Sequence, residues 1–227
     1  LNKADLADPK ATDRWISYYQ KKNIPVVPMS VGNSKNKKKL LSLIRETAEP
    51  MLAKWRKRGI KSRSVRLMIL GIPNVGKSTL INFLAGTAAT RTANTPGHTR
   101  GKQWVRLSEG LDLLDTPGVL WPKFDDQVAA LRLAATGAIA GDVFNADEVV
   151  PELLASLAET APWVLQEKYD IEDVHQDPQL LLEAAGRRRG CLLSGGAIDY
   201  DRAEMVVLRD FRSGKLGKLT LDPLPEK

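Results

Sequence analysis

The chain has 227 residues, 43% hydrophobic and 27% charged, a globular composition long enough for one full domain and a smaller one. Its net charge of +7 and pI near 9.5 favour an anionic partner without proving one. A single cysteine, Cys191, excludes an internal disulfide, no apolar run approaches membrane-spanning length and no signal peptide is visible.

In chain order, residues 24–29 (IPVVPM) form a short apolar run that predicts a strand. Residues 35–58 predict a helix, with Leu40, Leu41, Leu43, Ile44 and Met51 as a rough apolar stripe. Residues 66–70 (RLMIL) predict a buried strand, and residues 78–85 a helix. Residues 104–107 and 111–114 predict a strand pair joined at Ser108-Glu109-Gly110. After Trp121-Pro122 apolar residues recur at helical spacing: Val128, Leu131, Leu133 and Ala134, then Val149, Leu153, Leu154 and Leu157. The same spacing continues at Leu180, Leu181 and Leu182, and at Met205, Val206 and Leu208. The expected division is therefore an α/β domain over residues 1–122 and a helical domain over residues 123–227.

Between the strand of 66–70 and the helix of 78–85 stands Gly71-Ile72-Pro73-Asn74-Val75-Gly76-Lys77-Ser78-Thr79, a G-x-x-x-x-G-K-[ST] phosphate loop in its required context. Backbone amides of such a loop form an anion nest at a helix N-terminus. Lys77 is placed to reach β- and γ-phosphates, and the Ser78 hydroxyl to ligate Mg²⁺. Asp115-Thr116-Pro117-Gly118 follows the second strand of the pair and makes a D-x-x-G motif. There Asp115 would hold Mg²⁺ through water, and the Gly118 amide would meet the γ-phosphate. Thr95-Pro96-Gly97-His98-Thr99 occupies the place of a first switch loop, with Thr99 the candidate to complete the Mg²⁺ shell. His98 fits a catalytic base or a solvated loop histidine, and nothing in the sequence orients it.

Asn2-Lys3-Ala4-Asp5 matches the N-K-x-D signal for guanine. Asp5 can accept from both the N1–H and the exocyclic amine of guanine, a donor pair that adenine lacks. Asn2 would tie this loop to the phosphate loop, and the Lys3 stem would cover the base. A plain helix start capped by Asp5 or Asp8 is the alternative. Ser30 and Val31 stand where a second base-contacting loop belongs, although Ser30-Val31-Gly32 departs from the usual Ser-Ala-Lys. In ordinary GTPases the guanine motif follows the phosphate loop. Here it precedes it, so the fold expected is a circularly permuted P-loop GTPase domain followed by a smaller all-α domain. Two substitutions bear on catalysis. Val119 follows Gly118 where Ras-like enzymes carry a water-orienting glutamine. Asn74 is the residue type with which potassium-activated GTPases hold K⁺, or else it only stabilises its loop.

With the reversed order, GIPNVGKSTLIN, the NTPGHT loop and LLDTPGVLWPKF, the chain resembles the ribosome biogenesis GTPase A family. Residues 131–139 (LRLAATGAI) and 189–196 (RGCLLSGG) extend the resemblance into the C-terminal region. The resemblance implies GTP hydrolysed to GDP with Mg²⁺, late assembly of the large ribosomal subunit, stimulation by that subunit and contact with its rRNA; K⁺ is the expectation that Asn74 adds. It implies a monomer in a bacterial cytoplasm, or in an organelle as second choice, with no membrane. It also implies a further segment ahead of the guanine motif that carries the catalytic base, so none is assigned here. The expectation is that the sequence is part of a longer protein. Candidate rRNA contacts are Lys54, Arg56, Lys57 and Arg58, in a run that continues to Arg66 without an acid, and Arg187, Arg188 and Arg189. A third basic cluster is Lys35, Lys37, Lys38 and Lys39. Two rival readings remain: a nucleotide-dependent RNA-binding switch with negligible hydrolysis of its own, and a potassium-type GTPase of RNA modification.

Overall fold

The computed structural model describes residues 1–60, 63–86, 103–108, 110–116, 125–139 and 144–222. In chain order these form α1 (Pro9–Lys21), α2 (Ser34–Lys57), β1 (Val65–Met68), α3 (Lys77–Ala85), β2 (Gln103–Ser108) and β3 (Leu111–Asp115). Then come α4 (Gln127–Ala135), α5 (Ala146–Thr160), α6 (Pro162–Tyr169), α7 (Pro178–Arg188) and α8 (Tyr200–Arg212). The described residues of Leu1–Asp5 and Thr12–Leu120 make one compact unit, and those of Leu6–Ala11 and Trp121–Leu224 a second.

The first unit is an α/β layer. Its sheet has the order β1-β3-β2, with β1 parallel and β2 antiparallel to β3. The parallel pair Val65–Leu111 and Leu67–Leu113 turns one face inward, where α2 offers Leu40, Leu41, Ile44, Ala48 and Leu52 and α3 offers Ile81 and Leu84. The paired rows Arg66–Asp112–Arg106 and Met68–Leu114–Trp104 lie on the opposite face, where Met68 and Trp104 are exposed. α2 keeps Leu40, Leu41 and Ile44 of the expected stripe, but Met51 is exposed and Leu43 stays off this core, Ala48 and Leu52 continuing the buried face instead. The helix starts where Asn33 accepts the Lys35 amide at 3.0 Å.

Two segments depart from the sequence expectation. Residues 24–29 form no strand among the described residues. Leu1 N donates to the Val27 carbonyl at 2.9 Å and Met29 N–H to the Leu1 carbonyl at 2.7 Å, which holds this segment beside the start of the guanine motif. Residues 9–21 form a helix whose start is capped by Asp8, which accepts the Ala11 amide at 2.7 Å. The capped helix start offered as a rival to the guanine motif thus stands beside that motif.

The second unit is helical, with one isolated bridge between Leu192 and Ile198 among its described residues. α5 packs on α4, α6, α7 and α8, and its Val150, Leu153, Leu154 and Leu157 are fully buried. Here α6 joins the helices that periodicity announced, opened by Pro162 at its first turn.

The two motifs of the C-terminal region are devices of packing. Ala130, Ala134 and Ala135 of α4 are buried small residues that permit close helix approach. Arg132 donates to Ser156 Oγ of α5 at 3.2 Å. The Arg212 guanidinium donates to the carbonyls of Ala134 and Ala135 at 2.8 Å each, closing the C-terminal end of α4. In the second motif Cys191 is fully buried, and its amide bonds the Gly186 carbonyl at 2.8 Å.

Candidate nucleotide-binding site

The phosphate loop leaves β1 through Ile69 and Leu70 and enters α3 at Lys77. Asn74 (φ 53°) and Gly76 (φ 94°) both adopt the left-handed region, the backbone conformation from which anion-binding nests are built. Gly76 caps α3 with no side-chain hydrogen bond, so the first amides of the helix are not taken by a capping side chain. The Lys77 ammonium bridges the loop, donating to the carbonyls of Gly71 at 3.0 Å and Ile72 at 2.7 Å. Partial burial lowers the Lys77 pKa, and the charge of Asp115 works against that shift. Asp115 ends β3, and the neighbouring Thr116 hydroxyl donates to the Ile69 carbonyl at 2.5 Å. Thr116 is thereby tied to the segment that leads from β1 into the phosphate loop.

The reversed motif meets the same loop. Asn2 Nδ2 donates to the Val75 carbonyl at 2.8 Å, across 73 residues of sequence. A Cβ on Gly76 would stand 2.6 Å from that nitrogen, so glycine is needed for the approach as well as for the dihedral. Lys3 takes φ 56°, which turns the chain so that Ala4 N–H donates to the Met29 carbonyl at 3.0 Å. Asn2, Lys3 and Asp5 are therefore brought beside Ser30 and Val31, and Asp5 is exposed. Val75, Ser78 and Thr79 occupy the loop and the first turn of α3.

Ser78 supplies a hydroxyl and Asp115 a carboxylate, hard oxygen donors of the kind Mg²⁺ takes together with phosphate oxygens. No cluster of three or more His, Cys, Asp or Glu that could form an all-protein cage occurs among the described residues. The donors present thus fit a Mg²⁺ that arrives with a phosphate ligand. Thr99, His98, Gly118 and Val119 lie outside the described residues, as does Lys61.

The basic candidates separate. Lys54, Arg56, Lys57 and Arg58 are exposed at the C-terminal end of α2, with Arg56 paired to Glu49. Since β1 runs from this end toward the phosphate loop, these cations lie at the opposite end of the sheet from the loop. Arg63 stacks on Trp55 at 4.9 Å and Arg66 on Trp104 at 5.1 Å. Arg187 and Arg188 are exposed on the last turn of α7. Arg189 differs: its guanidinium is bonded to Asp210, which is 1% exposed, and sequence adjacency gave no hint of that commitment.

The profile of the family described as 50S ribosome-binding GTPase matches residues 66–176. The ribosome biogenesis GTPase A of Bacillus cereus is 42% identical over 98% of this chain and 75% of its own length. The mitochondrial ribosome-associated GTPase 1 of Ictalurus punctatus is 31% identical over 98% of this chain and 75% of its own. The crystal structure of GNP-bound YlqF from Thermotoga maritima superposes with a TM-score of 0.67 at 26% identity, covering 100% of this chain and 81% of that one. With the permuted order of its motifs, the loop geometry and this identity across nearly its whole length, the chain belongs to the ribosome biogenesis GTPase A family.

Proposed function

We propose that this chain binds GTP at the Asn2–Val75 junction, hydrolyses it to GDP and phosphate, and acts on the large ribosomal subunit late in its assembly. The observation that carries the reading is the hydrogen bond from Asn2 to the phosphate loop, which brings a guanine-type carboxylate and a phosphate nest into one site. Asp5 reads the base, with Ser30 and Val31 beside it and Lys3 covering it. The amides from Asn74 to Thr79 and the Lys77 ammonium bind the phosphates, with the Gly118 amide at the γ-phosphate. Ser78, Asp115 and Thr99 would hold Mg²⁺, which would supply positive charge against the phosphates. Asn74 would hold K⁺. Release of the γ-phosphate frees the loops of Thr99 and Gly118 and changes affinity for the particle.

Residues 1–122 form the GTPase domain and residues 123–227 the domain that meets rRNA, with Lys54, Arg56, Lys57, Arg58, Arg187 and Arg188 as further phosphate contacts. The protein works as a monomer in a bacterial cytoplasm. No helix among the described residues is long and apolar enough to cross a membrane.

The test is GTP turnover with and without purified large subunits, with ATP as control. Guanine-selective turnover that rises with the subunit is expected. Tight guanine binding with no turnover in either case makes the chain a binding switch. Equal affinity for ATP and GTP defeats the site.

A further inference from the structure

The helical unit holds a cleft of about 730 Å³ along the outer side of α8, in the size range of a small-ligand pocket. Arg189, Arg202, Arg209 and Lys215 bring four cations to its lining, with Met205 and Val206 between them. Three aspartates also line it, and two are occupied by the fold. Asp199 accepts the Arg202 amide at 3.1 Å as the cap of α8. Asp210 is buried and held by Arg189, with Lys215 at 3.7 Å. Asp201 remains. Arg202 and Arg209 form no ion pair among the described residues, and both are exposed.

The spacing matters. Positions 202, 205 and 209 share one stripe of α8, and the helical rise separates the two arginines by about 10 Å. Met205 stands between them 70% exposed. A simple anion would satisfy the arginines and leave this thioether in water. A nucleotide covers it with a base or ribose while its flanking phosphates meet the guanidiniums, which can also stack on bases. An acidic peptide offers charge without a flat apolar face.

We infer that the α8 cleft seats ribosomal RNA, with a nucleotide over Met205 and phosphates on Arg202 and Arg209. This rests on the ribosomal reading above and names a contact outside the arginine triplet 187–189. The packing explains the specificity of the surface. Ala203 and Val207 turn into the core on the opposite side of the same helix, so the stripe is held rigid by burial rather than presented on a loop.

The experiment is anisotropy binding of the full chain to purified bacterial large-subunit rRNA across a salt series, with a polyglutamate peptide as a second probe. Removing two phosphate contacts in Arg202→Ala/Arg209→Ala should reduce the slope of log K against log salt by roughly 1.4–1.8. GTP affinity and the thermal melt should not change. Met205→Ala should weaken binding several-fold at the wild-type slope, and Asp201→Asn should tighten it. Arg202→Lys/Arg209→Lys keeps the charge, so it should retain the slope while losing stacking affinity; it also serves if the alanine pair fails to fold. Wild-type affinity and slope in the alanine pair would overturn the cleft and leave the ribosomal reading standing. Absence of RNA binding by the wild type would overturn both. RNA binding unaffected while polyglutamate binding is lost would assign the cleft to an acidic peptide instead.

Discussion

At the scale of single residues, base choice, ion choice and fold stability rest on separate side chains. Asp5→Asn places a donor where guanine also donates, so GTP affinity should fall about 10- to 100-fold and xanthine nucleotide should bind in its place. Competition against labelled GTP measures both. If Asn74 holds K⁺, turnover should rise when Na⁺ is replaced by K⁺ at fixed ionic strength, and Asn74→Gly should erase the difference. Glycine is the informative replacement because φ at 74 is 53°, a conformation in which alanine adds strain of its own. Within the arginine triplet, Arg187→Ala/Arg188→Ala should leave stability unchanged and lower the salt slope of RNA binding. Arg189→Ala should instead destabilise the fold by roughly 2–3 kcal/mol. That is less than a fully buried pair would lose, since the Arg189 side chain is 35% exposed and Lys215 stays 3.7 Å from Asp210. Urea titration separates the two variants.

At the scale of elements, ends and turns decide more than interiors. Gly76→Ala must move Asn2, whose amide nitrogen stands 2.6 Å from the new Cβ, and it also strains φ 94°. Nucleotide affinity should collapse while the helical unit melts as before, which differential scanning calorimetry can show. Arg212 works on a helix end in the second unit. Its two bonds to the carbonyls of Ala134 and Ala135 close α4, and burial lowers its pKa without neutralising it.

At the scale of the whole molecule, one buried acid makes stability depend on pH. Glu204 is 8% exposed, and burial first, then Asp147 and Asp201, raise its pKa above the ordinary 4.5. A raised carboxylate pKa means the folded chain disfavours the ionised form. Its stability contribution is complete below pH 4.5 and is lost as pH rises through the folded value. Glu204→Gln should therefore raise the melting temperature at neutral pH, and the gain should vanish below pH 4.5. A constant gain across that range would mean packing, not charge, separates the two proteins.

Linear patterns sufficed for the parts of this protein whose chemistry is local. The phosphate loop and the helices with clear apolar periodicity are written in short stretches, because each depends on backbone geometry and spacing within a few residues. The strand expected at residues 24–29 is absent among the described residues, since an apolar run does not say which backbone it will pair with. Helix α1 was anticipated only as a possible cap at Asp5 or Asp8, although Ala11, Trp15, Tyr18 and Tyr19 recur at helical spacing and could have announced it. The motif implied that Asn2 ties to the phosphate loop, but tertiary structure alone chose the Val75 carbonyl as its acceptor and divided Arg189 from Arg187 and Arg188. Those partnerships bring together residues far apart in sequence, and which groups meet there is decided by how the helices and the sheet pack.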